Sequence, residues 1–555
     1  MSQHGGSVLG SVPPTRGGLL TTWNFGTVWR AIAETQPDQI AIEHGARSLT
    51  WRNFVDQAEG FASWMQSQGL EEHHKVALYL YNCPEYLVGF AGALFDAAVP
   101  VNTNYRYGVD ELVYLFENAD ARVLVFHGTF TDTVAAVRER VPGLTHYVFV
   151  DDGTSVCPPW ATPFDTVVAS PRVELPPLSP DDLIFLYTGG TTGMPKGVMW
   201  RNDDLFARLN NGSFRKFDDN GDVTSLIATI AQEGPGYATL PACPLMHGTG
   251  LFTAINTLAG GGRVVLLEGR HFDAVEMART IDDHEVNVVV IVGDPFARPL
   301  VRALRAEPQR FTLSSVFAFL SSGAMWSEEI KIALLEHQPS MMLVDAFSSS
   351  EALGMGSSVS SGKGTQKTAR FALGTDVRVV GENGQDVIPG SDEVGKLMLG
   401  GRIPLGYYKD PVKSAATFQE LDGARYSVPG DMAKVNADGT IHLLGRGSQC
   451  INTAGEKVYP EEVEEALKTH AAVADACVVG VADDEYGQRI IAAVELHAGQ
   501  TVDESELIGH VKGHLAHYKA PRAVRFVETI GRAVNGKMDY ARHQREAAEW
   551  VLESR

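Results

Sequence analysis

Residues 187–198 read Tyr-Thr-Gly-Gly-Thr-Thr-Gly-Met-Pro-Lys-Gly-Val, a run suited to gripping a polyphosphate. Gly189, Gly190, Gly193 and Gly197 let backbone N–H groups approach an anion closely. Thr188, Thr191 and Thr192 add hydroxyl donors, and Lys196 adds a cation. No Gly-Lys pair followed by Ser or Thr closes the loop, so it is not the Walker sequence. The competing reading is a surface turn, but turns rarely combine so many donors with one lysine.

Such a loop needs a rigid base. The apolar run Leu183 to Leu186 predicts a strand that empties into it. From Trp23 to about Gly445, amphipathic segments alternate with buried runs at Val76-Ala-Leu-Tyr-Leu, Val123-Leu-Val-Phe, Arg263-Val-Val-Leu-Leu and Val286–Val292. Tyr86 to Ala98 reads as a helix on a sheet, and the rhythm is that of an α/β architecture. The Pro-rich stretch Pro171 to Pro180 predicts a linker ahead of the loop. After Gly445 a helix is expected near Pro460, whose first turn carries Glu461, Glu462 and Glu464. Strands at 476–481 and 490–496, a helix over 504–515 and a strand at 523–527 complete an α+β unit of about 110 residues.

A chain of 555 residues exceeds one ordinary core, so at least two domains are expected. With 44% hydrophobic and 21% charged residues, it has the make-up of a soluble globular protein. The net charge of −22 argues against a nucleic-acid partner. Cys83, Cys157, Cys243, Cys450 and Cys477 form no Cys-x-x-Cys pair, which fits a reducing cytoplasm and not a zinc site. Residues 1–20 are polar, rich in Gly and Pro, and lack a signal peptide's apolar core. No apolar run approaches the roughly 18–20 residues of a membrane span. A cytoplasmic location is expected, with peripheral membrane contact and a homodimer both left open.

The phosphate loop resembles that of the adenylate-forming enzymes, the AMP-binding superfamily of acyl-CoA synthetases, luciferases and peptide-synthetase adenylation domains. Their loop usually reads Tyr-Thr-Ser-Gly-Thr-Thr-Gly-x-Pro-Lys-Gly, with Ser where this chain has Gly189. The resemblance covers nearly everything after residue 20. It implies a large N-terminal domain of packed sheets and helices over 21–446 and a small mobile α+β domain over 447–555. It also implies ATP, Mg²⁺ and coenzyme A as the small molecules handled.

Phe347-Ser-Ser-Ser-Glu351 resembles the family's aromatic-Gly-x-Thr/Ser-Glu segment, with Ser348 in place of Gly. By that resemblance Ala346 and Phe347 lie against adenine, Ser350 meets phosphate, and Glu351 helps to hold Mg²⁺, a cation often held by few carboxylates. Ser321-Ser322-Gly323-Ala324 is similar to the segment lining the adenine and acyl sites. Gly430-Asp431 resembles Thr-Gly-Asp, in which the aspartate receives both ribose hydroxyls, a sound use of two acceptor oxygens. Gly445-Arg446 matches the family's Gly-Arg, so Arg446 is expected at ribose or phosphate just before the hinge. Ser448 or Gln449 would absorb the rotation, and Asn452 stands where many relatives have Lys. The segment from Ala454 to Glu464 implies Gly455 beside the CoA thiol. Gly531-Arg-Ala-Val-Asn-Gly-Lys537 resembles Pro-Arg-Thr-x-x-Gly-Lys, whose lysine bridges carboxylate and α-phosphate.

Pro244-Leu-Met-His247 resembles the segment beside the acyl site, and His247 would orient or gate the acid. General-base action is not required, because a carboxylic acid is already ionised near pH 7. No conspicuous Asp or Lys announces an amino-acid pocket, and no carrier domain follows Lys537, so CoA is the preferred acceptor. Arg215-Lys-Phe-Asp-Asp-Asn-Gly-Asp and Asn102-Thr-Asn-Tyr-Arg-Tyr107 resemble bacterial enzymes acting on long-chain or steroid side-chain acids. The expected function is an AMP-forming acyl-CoA synthetase for a hydrophobic carboxylic acid, with Lys537, Glu351, Thr188 and His247 as its catalytic group. The rivals are a fatty acyl-AMP ligase feeding a carrier protein and a nucleotide-binding regulator without turnover.

Overall fold

The computed structural model describes residues 22–188, 194–218, 221–324, 326–362, 364–365, 369–453, 456–483, 486–533, 536 and 538–553. The expected loop residues Gly189, Gly190, Thr191, Thr192 and Gly193, together with Gly455 and Lys537, lie outside them.

Two large sheets face one another across a layer of helices. One has eight strands, with Leu183–Thr188 between Val99–Asn102 and Lys196–Arg201. The other has fifteen, including the parallel run Ala238–Pro241, Val288–Ile291, Ala318–Ser321 and Met342–Ser349. The helix Pro84–Phe95 is buried on all sides rather than along one stripe. A helix apolar all round belongs in an interior. Its core cluster joins Ile42 and Val264 of one sheet to Val76 and Val123 of the other. Trp51–Ser67 and Gly248–Ala259 contribute to the same layer.

The α/β rhythm does not extend to Gly445. After Met342 and up to Arg446, the strands that follow one another pair antiparallel, beginning with Met342–Ser349 against Ala352–Ser360. Antiparallel pairing continues through Arg370–Leu373, Ile441–Arg446, Asp431–Val435 and Gly395–Leu399. The cause is a change of period. Asp431–Val435 alternates buried and half-buried positions, and Asp-Gly turns close the hairpins at Asp422-Gly423 and Asp438-Gly439.

The C-terminal unit matches its expectation closely. A five-stranded sheet carries helices Pro460–Lys468, Glu504–His514 and Tyr540–Glu553. Its core includes Val463, Leu467, Val478, Ala492 and Leu507. Among the described residues, no helix is long and apolar enough to cross a membrane, and all five cysteines are free.

One buried side chain ties the phosphate-loop strand to the segment before His247. Asn102 Oδ1 accepts from Tyr187 N at 2.5 Å, while Nδ2 donates to Tyr187 O at 2.9 Å and Met246 O at 2.6 Å. The end of the phosphate-loop strand is thereby fixed to the residue before His247. Asn102→Ala strands three buried backbone groups, each costly to leave unmade. A loss of about 3 kcal/mol is expected in chemical denaturation, with cooperativity retained.

Candidate active site

The parallel strands of the larger sheet set out the site by their register. Ile291, Ser321 and Asp345 sit side by side, and Pro241 pairs with Val290. His247, Gly293, Ser322–Ala324 and Phe347–Glu351 lie at or just beyond these strand ends. Ligands of open α/β sheets bind outside the carboxyl ends of the strands. The expected segments, scattered over a hundred residues of sequence, therefore meet along one edge. Gly323, at φ +96°, has Val292 and Thr249 as its nearest neighbours, and Ser321 Oγ accepts the Gly293 N–H at 2.9 Å.

Glu351 sits in the tight turn between Met342–Ser349 and Ala352–Ser360. Ser348 Oγ accepts the Gly354 N–H at 3.0 Å across that turn, which gives the serine in place of glycine a structural use. Trp200 Nε1 donates to Ser350 O at 3.0 Å, pinning the turn to the strand that begins at Lys196. Tyr407 OH donates to Glu351 Oε1 at 2.8 Å, and Lys196 Nζ stands 4.9 Å from the Tyr407 ring centroid. Burial, then the Glu351 charge, hold the Tyr407 phenol above its usual range, so it remains a donor. Thr188 faces Lys196 across the hairpin whose tip is the phosphate loop.

Asp431 and Arg446 are paired residues on neighbouring strands, with Arg446 Nε 3.7 Å from Asp431 Oδ1. Burial lifts the Asp431 carboxyl above its usual range; Arg446 pulls it down and Glu351 pushes it up. Asp431 Oδ2 is buried without a hydrogen-bond partner in the described protein. An orphaned acceptor fits a ligand bringing hydroxyl donors, as a ribose does. Among the described residues no group of three or more His, Cys, Asp and Glu could hold a metal ion.

The C-terminal unit closes over this edge. Gly536 packs against Ala324, Val292 and Pro295. Glu461, in the first turn of Pro460–Lys468, presses on Gly445, whose φ of +106° and lack of a side chain leave room for the carboxylate. Glu461 as a whole is half-buried, but its Oε2 is shut away from water with no hydrogen-bond partner. Burial, aided by Glu464 and Asp431, pushes its carboxyl up to about 8 against weaker help from the Glu461 and Arg446 N–H groups.

A small recess lies between the helix Gly248–Ala259 and the strands Val288–Ile291 and Ala318–Ser321. Val288, Leu320, Phe214 and Tyr237 give it apolar walls, and Thr253 and Thr257 line its helical side. Both threonine hydroxyls are spent on their own helix, donating to Thr249 O at 2.7 Å and Thr253 O at 2.8 Å.

Of the expected residues, the structure brings together Thr188, Lys196, Ser350, Glu351, Asp431 and Arg446. Ser322, Gly323, Ala324, Ala346, Phe347 and His247 lie along the same strand ends. Phe347 packs on Phe371, with ring centroids 5.7 Å apart. Sequence reasoning missed Tyr407, Trp200 and the work of Glu461, because each acts through a partner remote in sequence.

The AMP-binding enzyme family matches residues 29–408, and the AMP-binding enzyme C-terminal domain matches 462–537. The chain belongs to the AMP-binding enzymes. Similar family members include the 3-oxocholest-4-en-26-oate–CoA ligase of Rhodococcus rhodochrous, 40% identical over 91% of this chain and 92% of its own. The medium/long-chain-fatty-acid–CoA/3-oxocholest-4-en-26-oate–CoA ligase of Mycolicibacterium smegmatis is 38% identical over 91% and 93%. A solved anthranilate CoA ligase in complex with anthranoyl-AMP shares the fold, with TM-score 0.82 over 96% of this chain and 99% of its own at 21% identity.

Two outcomes are expected from this geometry. Tyr407→Phe keeps the ring beneath Lys196 but removes the donor to Glu351, so kcat/KM for ATP-Mg²⁺ should fall on the order of tenfold, read by pyrophosphate exchange. Glu461 keeps its proton in the folded protein between about pH 4.5 and 8, where an exposed carboxyl has lost its own. Its contribution to stability is therefore greatest below that window and declines as pH rises through it. Glu461→Gln should melt like wild type near pH 4.5 and at a higher temperature than wild type at pH 8.

Proposed function

We propose that this AMP-binding enzyme is an acid–thiol ligase that activates a hydrophobic carboxylic acid with ATP and passes the acyl group to coenzyme A. The acid class is the long-chain fatty or steroid side-chain acid. One observation carries the reading: Glu351, Asp431 and Arg446 converge, Tyr407 stands between Glu351 and Lys196, and Asp431 Oδ2 is left for a ligand. The substrates named for the R. rhodochrous and M. smegmatis relatives support the same acid class.

In the first half-reaction a carboxylate oxygen bonds to the α-phosphorus of ATP and the bond to pyrophosphate breaks, leaving acyl-adenylate. Thr188, Lys196 and the loop residues Gly189, Gly190, Thr191, Thr192 and Gly193 would hold the phosphates by aligned donors and one cation. Asp431 would accept both ribose hydroxyls, and Arg446 would stand beside it toward ribose or phosphate. Ser322, Gly323, Ala324, Ala346 and Phe347 would form the adenine wall, while Ser350 donates to phosphate. Glu351 would hold Mg²⁺, which supplies charge neutralisation for the departing pyrophosphate. His247 would orient the acid. Lys537 would bridge carboxylate and α-phosphate, offsetting the repulsion between two anions. The packing of Gly536 on Ala324 supports this.

In the second half-reaction the CoA sulfur bonds to the acyl carbon and AMP leaves with the electrons of the broken C–O bond. We infer two domains, 21–446 and 447–555, that turn about the segment after Arg446, so that Lys537 withdraws and Gly455 comes beside the thiol. The free cysteines support a cytoplasmic setting.

The test measures acid-dependent pyrophosphate release and thioester mass across fatty and steroidal acids. Lys537→Ala should lower acyl-adenylate formation roughly 100- to 1,000-fold, with ATP still bound. Pyrophosphate without thioester would replace CoA by another acceptor. Silence across the panel with ATP bound would leave a nucleotide-binding regulator.

A further inference from the structure

The segment that leads into Lys537 hangs from one arginine. Arg532 Nε donates to Asp475 Oδ2 at 2.6 Å and Nη2 donates to Asp475 Oδ1 at 2.9 Å, so the guanidinium grips the carboxylate by two bonds. Its third nitrogen, Nη1, donates to Gly536 O at 3.2 Å. Asp475 belongs to the strand Val473–Asp483, whose register with Gly487–Leu496 shifts between Val473 and Asp475. Asp475 Oδ1 also accepts the Ala476 N–H at 2.8 Å, which fixes the carboxylate to its own strand. Burial works against the Asp475 charge, but the Arg532 hydrogen bonds and charge outweigh it and hold the carboxyl below its usual range. A bidentate arginine–carboxylate pair sets orientation as well as distance.

The same segment meets the N-terminal part. Gly536 N donates to Ala533 O at 2.8 Å. A Cβ on Gly536, whose φ is +71°, would lie 2.9 Å from the Ala324 Cβ. Asp475, Arg532 and Gly536 all belong to the C-terminal unit. The clamp therefore travels with that unit, whereas the packing of Gly536 on Ala324 does not. Lys537 is the next residue in the chain. A lysine carries its charge on a flexible four-carbon stem, so the backbone beneath it limits where the ammonium can act.

We propose that Asp475 and Arg532 are positioning residues: their pair holds the Gly536 carbonyl and so presents Lys537 to the carboxylate and α-phosphate in the adenylating half-reaction. This rests on the CoA-ligase reading, with Lys537 as its bridging lysine, and adds what aims that lysine. Once acyl-adenylate has formed and Lys537 has withdrawn, the clamp has no part left to play. Its loss is therefore felt in one half-reaction and not in the other. A pair that merely stabilised the C-terminal unit would be felt in both.

The test compares wild type with Asp475→Asn, Arg532→Gln, their double variant and the milder Arg532→Lys, on saturated fatty and steroid side-chain acids. Acid-dependent ATP–pyrophosphate exchange reads the first half-reaction. Thioester formation from supplied acyl-adenylate and CoA reads the second, and amide hydrogen exchange by mass spectrometry reads the fold. Asp475→Asn and Arg532→Gln should each lower kcat for pyrophosphate exchange roughly 10- to 100-fold with KM for ATP unchanged, since a small misplacement is enough. Their thioester rates from supplied adenylate should match wild type. The double variant should be no slower than the slower single, because the pair is lost only once. Amide exchange should quicken over 532–538 and stay slow over 476–482. Arg532→Lys, which keeps the charge without the fork, should show the same split at smaller size, and it decides the matter if the other variants unfold. In folded variants, equal losses in both half-reactions, no loss in the first, or additive losses in the double variant would sink the clamp alone. Wild type silent in pyrophosphate exchange with every acid would sink the ligase reading, and the clamp's role with it.

Discussion

The site depends on negative charge that the fold concentrates beside one arginine. Glu351 is close enough to Asp431 to push its carboxyl up, and Arg446 is the cation paired with Asp431. Buried carboxylates raise one another's pKa and are costly without partners. The protein leaves Asp431 Oδ2 without one. Such a pocket suits a ligand that supplies hydroxyl donors. The cost of assembling it is borne by the surrounding structure: the Tyr407 hydroxyl, the Trp200 indole and the strand pairing of Asp431 with Arg446.

The two-sheet scaffold makes that concentration hold still. Side chains from four parallel strand ends must share one edge, and the phosphate loop must reach them from the other sheet. Asn102 locks that approach by bonding the phosphate-loop strand and the Met246 carbonyl through one amide. Glu461 does the equivalent between the N-terminal part and the C-terminal unit, with its carboxyl against Gly445. Its contact is made with residues just before the segment expected to rotate. The proposed rotation about that segment would break this contact.

The α/β core, the C-terminal unit and the order of the site segments were all legible in the sequence. Val288–Ile291 and Leu183–Thr188 announce themselves as apolar runs, and Pro460 marks its helix start. The antiparallel region after Met342 was harder to read, since its strands are short and their period-2 pattern is broken by glycines. Within the site, the motif positions were recognisable by type and order. Tyr407 was not, because nothing near it in sequence signals that its hydroxyl meets Glu351, and Trp200 likewise acts on Ser350 from the far side of a sheet.

Every role proposed for the site depends on the acid's own oxygen attacking the α-phosphorus and the acyl group then moving to sulfur. A hydrophobic acid labelled with ¹⁸O in its carboxylate, turned over with ATP-Mg²⁺ and CoA, tests this most directly by mass spectrometry of the products. One labelled oxygen should appear in AMP and the other in the thioester carbonyl, with none in pyrophosphate. Thioester accompanied by unlabelled AMP, or label in inorganic phosphate, would contradict the adenylate route and the roles assigned to the site.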